Sequence, residues 1–245
     1  MKVFIVIIII YLFVFVLKKK ENPKINVDNL EIVLINLERS KDRLKEMQKK
    51  LPFEFKRFEA VDGKTLDLRK LNMNSLLTKS SLEDTRMSIY NEKQMTPGAL
   101  GCYLSHMYLW EDSFKNNKNI LVLEDDIITV GSKNQFFKKL NKFLDDVPKD
   151  WDLIYLGYHD YRSGFVKKMA INMNQEICRM KNNVQGTHAY IINRRGAQKL
   201  LKDAKPIKSQ VDDYMNKKFG EMNVYGCSDS LKFFGYSQYE TLIQR

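Results

Sequence analysis

With 245 residues, 44% of them apolar and 29% charged, the chain has the makeup of a globular protein with a sizeable core, which excludes a disordered or low-complexity chain. Cys102, Cys178 and Cys227 are odd in number and widely spaced, with no CxxC motif and no nearby histidine pair to make a zinc site, which predicts reduced, buried thiols. Of the net charge of +11, residues 1–24 carry +4, and the remaining lysines are scattered; this predicts a solvated surface tolerant of anionic partners and no nucleic-acid groove.

Val3 to Leu17 is an uninterrupted apolar run followed by Lys18, Lys19 and Lys20. It is slightly shorter than the roughly 20 residues of an average spanning helix. No small-x-small cleavage site follows it. Residues 1–20 therefore read as one N-terminal apolar helix, a membrane anchor or a signal segment with the uncleaved anchor preferred, and the lysines on its carboxyl side favour a cytosolic body by the positive-inside rule. Residues 21–29 read as a polar tether, and 30–245 as the globular domain.

In that domain, Glu31 to Leu37 (EIVLINL) is a buried strand and Lys41 to Leu51 a charged helix that Ser40 can cap. Phe53 to Ala60 is a strand candidate. Val61-Asp62-Gly63 reads as a turn in which Gly63 supplies φ > 0. Leu66 to Leu77 has a helical pattern, and Thr78 to Met95 is polar, aperiodic and loop-like. Thr96 to Trp110 (TPGALGCYLSHMYLW) opens with threonine and proline in cap and first-turn positions. Its small residues Gly98, Ala99, Gly101 and Cys102 allow another backbone to come close. Asn119 to Asp126 (NILVLEDD) is an apolar strand that ends in three carboxylates. Gln135 to Val147 is helical, Asp152 to Leu156 a strand, and Gly157 to Gln185 a long irregular stretch of the kind that forms lids or binding loops. Thr187 to Asn193 is a strand, Arg194 to Ala204 a helix, Val211 to Phe219 a helix and Val224 to Cys227 a last short strand. This alternation predicts an α/β fold with a mainly parallel sheet.

The chemistry concentrates at strand ends. Glu124, Asp125 and Asp126 repel one another unless a cation or strong donors offset them, and ligands of open α/β sheets gather at such carboxyl ends. A hard divalent ion, Mn²⁺ or Mg²⁺, suits carboxylate and phosphate oxygens. The plainer alternative is a solvated turn. Arg39 and Arg43, four apart at a helix start, are placed for phosphate or are simply solvated helix charges. His106 on its apolar helix fits a satisfied core histidine as well as a functional one. Asp212 and Asp213 at a helix start stabilise its dipole and are also candidates for acceptor binding and for a general base.

The ordered blocks VLINLERSKDR, FEAVDG, MTPGALGCYLSH, ILVLEDD, WDLIYLG, GTHAYIINRRGAQKLL and VDDY, from about Ile32 to Tyr214, resemble glycosyltransferase family 25, which includes bacterial lipooligosaccharide galactosyltransferases and procollagen galactosyltransferases. The resemblance implies a GT-A fold. It also implies inverting transfer of a sugar, galactose first, from a UDP-sugar to a hydroxyl of a glycan, glycolipid or hydroxylysine acceptor. Block by block, it places Asn36, Arg39, Arg43 and Asp62 near the nucleotide and turns Ser105 and His106 to the same pocket. It counts Glu124 and Asp125 among the donor-binding residues, with one or the other nearer the ribose, and gives the metal to Asp126 first, with Asp125. The late pair, Asp212 and Asp213, takes the acceptor and the base. Relatives often carry glutamate where this chain has Ala99, so a catalytically degenerate, membrane-tethered binding protein is the alternative reading.

Overall fold

The computed structural model describes residues 25–67, 70–71, 76–78, 95–131, 133–159, 170–173, 176–181, 184–228 and 231–236. The expected N-terminal anchor helix and residues 21–24 of the tether lie outside these residues. So do half of the expected helix from Leu66 to Leu77, residues 68–69 and 72–75, and most of the loop from Thr78 to Met95. Among the described residues, no helix is long and apolar enough to cross a membrane.

The elements, in order, are β1 (Leu30–Asn36), α1 (Lys41–Lys50), β2 (Lys56–Glu59), α2 (Pro97–Asn116), β3 (Asn119–Glu124), β4 (Ile127–Thr129), α3 (Lys133–Asp146), β5 (Leu153–His159), β6 (Ala170–Asn172), β7 (Ile177–Met180), β8 (Gln185–Ile192), α4 (Arg194–Leu201), α5 (Val211–Lys217), β9 (Val224–Cys227) and β10 (Phe234–Tyr236). Eight strands form one sheet in the order β2-β1-β3-β8-β5-β9-β7-β6, and β10 pairs with β4 apart from it. The α/β class stands, but the sheet is mixed and not mainly parallel. β1 runs parallel to β2 and β3, and β5 to β9, whereas β8 lies antiparallel between β3 and β5. The stretch from Gly157 to Gln185, read as irregular, instead contains β6 and β7, which continue the sheet beyond β9 in antiparallel register. Three- and four-residue strands are too short for a period of two to announce them.

The interior explains why β3 is fixed. Ile120, Leu121, Val122 and Leu123 are fully buried, as expected of an apolar run in a sheet with both faces covered. Burying each such side chain contributes about 1.5–3 kcal/mol. On α2, Thr96 Oγ1 accepts the Ala99 N–H at 2.9 Å and Pro97 occupies the first turn, so the helix starts where the sequence signals it. Its Trp110 is fully buried and donates to Tyr190 of β8 at 3.0 Å, tying helix to sheet. On α3, Phe136 and Phe143 pack against Phe53, Phe233 and Phe234. Ser40 sits at the N-cap of α1 but forms no side-chain cap; its carbonyl instead accepts Asn36 Nδ2 at 3.1 Å.

Two glycines join the segment after β2 to α2. A Cβ on Gly101 would lie 2.4 Å from the Val61 carbonyl oxygen, and one on Gly63 would lie 1.8 Å from that of Pro97. The small residues of α2 therefore do admit another backbone, the one at Val61 to Gly63. Gly63 itself is not among the positive-φ residues. It is needed for close approach and not for the left-handed turn that the sequence suggested.

A candidate active site at the carboxyl end of β3

β3 ends at Glu124, and Asp125 and Asp126 form the two-residue link to β4. They do not face bulk solvent. All three line an open cleft, together with Arg39, Arg43, Asp62, Gly98, Cys102, Ser105 and His106. The parallel neighbours β1 and β3 both point their carboxyl ends at this cleft, and the start of α2 closes it.

The charges in the cleft are paired with one exception. Arg39 forms an ion pair with Asp62, whose Oδ1 also accepts the Lys64 N–H at 3.0 Å and caps a short turn. Arg43 lies 3.1 Å from Asp125 Oδ1, and buried Asn36 donates to Asp125 Oδ2 at 2.7 Å. Both Asp125 oxygens are thus engaged, and burial still pushes its pKa up against the pull of Asn36 and Arg43. Glu124 accepts from Thr187 Oγ1 at 2.7 Å and lies 3.4 Å from His106 Nε2. Burial acts to raise its pKa, but the His106 ring and the Thr187 hydroxyl outweigh it and hold the carboxyl down to about 2. Asp126 is the exception. Its Oδ1 is buried without a hydrogen-bond partner, and burial, with the charges of Glu124 and Asp125, pushes its pKa up to about 7.

An orphaned carboxylate oxygen beside two further acids, in a cleft lined by oxygen donors, fits a hard divalent cation by the chemistry of the donors. Asp126 has a free oxygen for such an ion, whereas the two oxygens of Asp125 already serve Asn36 and Arg43. Asn36, 1% exposed, lies beneath the cleft and orients Asp125 instead of lining the cavity. It also accepts Arg57 Nε at 3.0 Å. Ser105 is fully buried, with its Oγ accepting the Val61 N–H at 2.9 Å and donating to the Gly101 carbonyl at 2.8 Å. It pins the segment that carries Asp62.

The late acids separate. Asp212 is half-buried at the start of α5, and its Oδ2 lies 3.4 Å from the Gly186 N–H, next to the Thr187 that holds Glu124. Burial raises its pKa, and the charge of Glu124 is among the influences on it. Asp213 is exposed, and its N–H is capped by Asp212 Oδ1 at 2.9 Å. The structure thus brings Asp212, and not Asp213, toward the acidic turn.

Three residues of the site escaped sequence reasoning. Thr187 and Tyr190 lie on β8, a strand distant in sequence that holds Glu124 and His106; Tyr190 Oη is 2.9 Å from His106 Nδ1. Cys102 lines the cleft one helical turn from His106, a spacing of four that was available to be read.

Comparison with known proteins adds a consistent result. A family model described as Glycosyltransferase family 25 (LPS biosynthesis protein) matches residues 29–215. Procollagen galactosyltransferase 2 of Homo sapiens is 33% identical over 184 residues, covering 70% of this chain and 27% of that protein. A Glycosyltransferase 25 family member of Aedes aegypti is 32% identical over 204 residues, covering 79% of this chain and 32% of that one. Procollagen galactosyltransferase 1-B of Xenopus laevis is 32% identical, covering 80% and 32% respectively. The chain spans about a quarter to a third of the length of these relatives. Among solved structures, A197 from STIV matches 80% of each chain at 12% identity and a TM-score of 0.37, too low to bear on function.

Proposed function

Because this chain belongs to glycosyltransferase family 25, we propose that it transfers a hexose, galactose first, from a UDP-sugar to a hydroxyl of a glycan, glycolipid or hydroxylysine acceptor. The observation that carries this reading is the unpartnered, buried Oδ1 of Asp126 at the carboxyl end of β3. A nucleotide diphosphate needs positive charge where it departs, and the cleft holds its acids in a form that leaves one oxygen for a cation. On this reading the α/β domain is of the GT-A type.

Asp126 would hold a Mn²⁺ or Mg²⁺ ion, which when bound supplies positive charge beside the leaving diphosphate. Arg39, with its side chain 37% exposed at the cleft wall, is free to exchange Asp62 for a phosphate oxygen. Glu124 and Asp125, fixed by Thr187 and by Asn36 and Arg43, present rigid acceptors for the hydroxyls of the donor. Asp212 takes the proton of the acceptor hydroxyl as its oxygen bonds to the anomeric carbon and the bond from that carbon to the diphosphate oxygen breaks. Its half-buried position and raised pKa suit a base better than the exposed Asp213. Attachment to a membrane through Val3 to Leu17 belongs to the same reading, on sequence grounds alone.

The test is UDP release from a panel of UDP-sugars, with and without Mn²⁺, in the presence of galactosyl and hydroxylysyl acceptors. Metal-dependent release with UDP-galactose supports the reading; no release from any UDP-sugar rejects it.

A further inference from the structure

Next to the acidic turn lies a second donor set of different chemistry. Cys102 and His106 are one turn apart on α2, and Glu124 at the end of β3 faces both. One ligand atom from each, a sulfur, a nitrogen and an oxygen, lies within 4.8 Å of the other two. The His106 ring is fully buried, and its Nε2, 3.4 Å from Glu124 Oε1, has no well-aligned hydrogen-bond partner. Its other nitrogen, Nδ1, is 2.9 Å from Tyr190 Oη, which in turn accepts from Trp110. This is the arrangement of a metal-binding histidine, whose remote nitrogen is held by a partner that orients the ring. All three residues line the cleft, so an ion has a way in.

We propose that Cys102, His106 and Glu124 form a Zn²⁺ site, distinct in ligand chemistry from the oxygen site at Asp126 and sharing Glu124 with the donor cleft. Sulfur and imidazole nitrogen favour zinc over manganese and magnesium, and three protein ligands leave a fourth tetrahedral position open toward the cleft. The Cys102 thiol gives up its proton to solvent when the ion binds, and no redox change is involved. Zinc held there would occupy Glu124 and stand within the donor cleft, so it would inhibit any activity housed in it. Among the described residues no other cysteine is placed with a histidine and a carboxylate in this way.

The test uses the whole chain freed of metal with a chelator. Zn²⁺ binding is measured by competition with a chromophoric chelator, and Co²⁺ is added separately to look for the near-ultraviolet band of a cobalt–thiolate bond. The expected result is one tight Zn²⁺ per chain and a cobalt–thiolate band, with Cys102→Ser losing the band and weakening Zn²⁺ binding by more than about tenfold. Asp126→Asn is expected to keep both. Absence of the band in the folded wild-type chain, its persistence in Cys102→Ser, or loss of Zn²⁺ in Asp126→Asn with retention in Cys102→Ser would each overturn the assignment.

Discussion

Arg43 Nη1 lies 3.1 Å from Asp125 Oδ1, with both side chains largely shielded from solvent, and this pair decides which acid of the turn is left over. With Asp125 neutralised by Arg43 and Asn36, and Glu124 held by Thr187, Asp126 carries the uncompensated charge. Arg43→Gln removes a cation from among three carboxylates and leaves Asp125 buried beside its like-charged neighbours. The expected cost is about 3 kcal/mol of stability. Urea denaturation checks it, and adding Asp125→Asn to the Arg43→Gln variant is expected to recover most of the loss.

The pH dependence of stability follows from Asp126. Its ordinary pKa of 3.8 is raised to about 7 in the fold, so between these values the folded chain holds a proton that the unfolded chain has released. Stability contributed by this group therefore falls as pH rises from about 4 to 7. Glu124 acts in the opposite sense: held at about 2 against an ordinary 4.5, it contributes stability above pH 4.5 that is lost as pH falls toward 2. Asp126→Asn, measured with chelator present, is expected to match the wild type near pH 4 and to be more stable at pH 8. The difference is on the order of 2–4 kcal/mol. Equal melting temperatures at pH 8 would contradict it.

The contact between α2 and the segment at Asp62 gives a third prediction. A methyl group on Gly101 would meet the Val61 carbonyl oxygen at 2.4 Å, which is backbone and cannot swing aside. Gly101→Ala is expected to cost about 1–3 kcal/mol and to loosen the cleft wall that carries Asp62. Ser105→Ala makes no clash but deprives the Val61 N–H of its acceptor, at about 1–2 kcal/mol. Urea midpoints of the two variants check both figures.

The late acidic pair gives a fourth. Asp212→Asn is expected to lower kcat for transfer by at least a hundredfold with little change in donor KM, whereas Asp213→Asn is expected to keep transfer within a few-fold of wild type. Steady-state kinetics with UDP-galactose distinguish them, and the reverse pattern would move the base to Asp213.

How much of this was legible in the sequence depended on the range of the interaction. β3 with its acidic end, the Thr96 cap and the small-residue face of α2 were all readable, because each is written within one stretch of chain. The mixed sheet was not, because the antiparallel insertion of β8 between β3 and β5 is a matter of topology that a run such as GTHAYII does not encode. The inequality within each acid group was also hidden. Asp125 differs from Asp126 only through Asn36 and Arg43, some eighty residues earlier, and Asp212 differs from Asp213 through burial and Gly186. Gly63 shows the same limit: its need for a missing side chain was visible, but the reason, the Pro97 carbonyl, was not.

The most direct test of the central claim is UDP release from UDP-galactose by the wild type and by Asp126→Asn, titrated with Mn²⁺, with the fold of each confirmed by circular dichroism. The expected result is saturable, Mn²⁺-dependent release in the wild type that falls by more than about a hundredfold in Asp126→Asn at unchanged helix and sheet content. Full, Mn²⁺-dependent turnover in the folded variant would contradict the account.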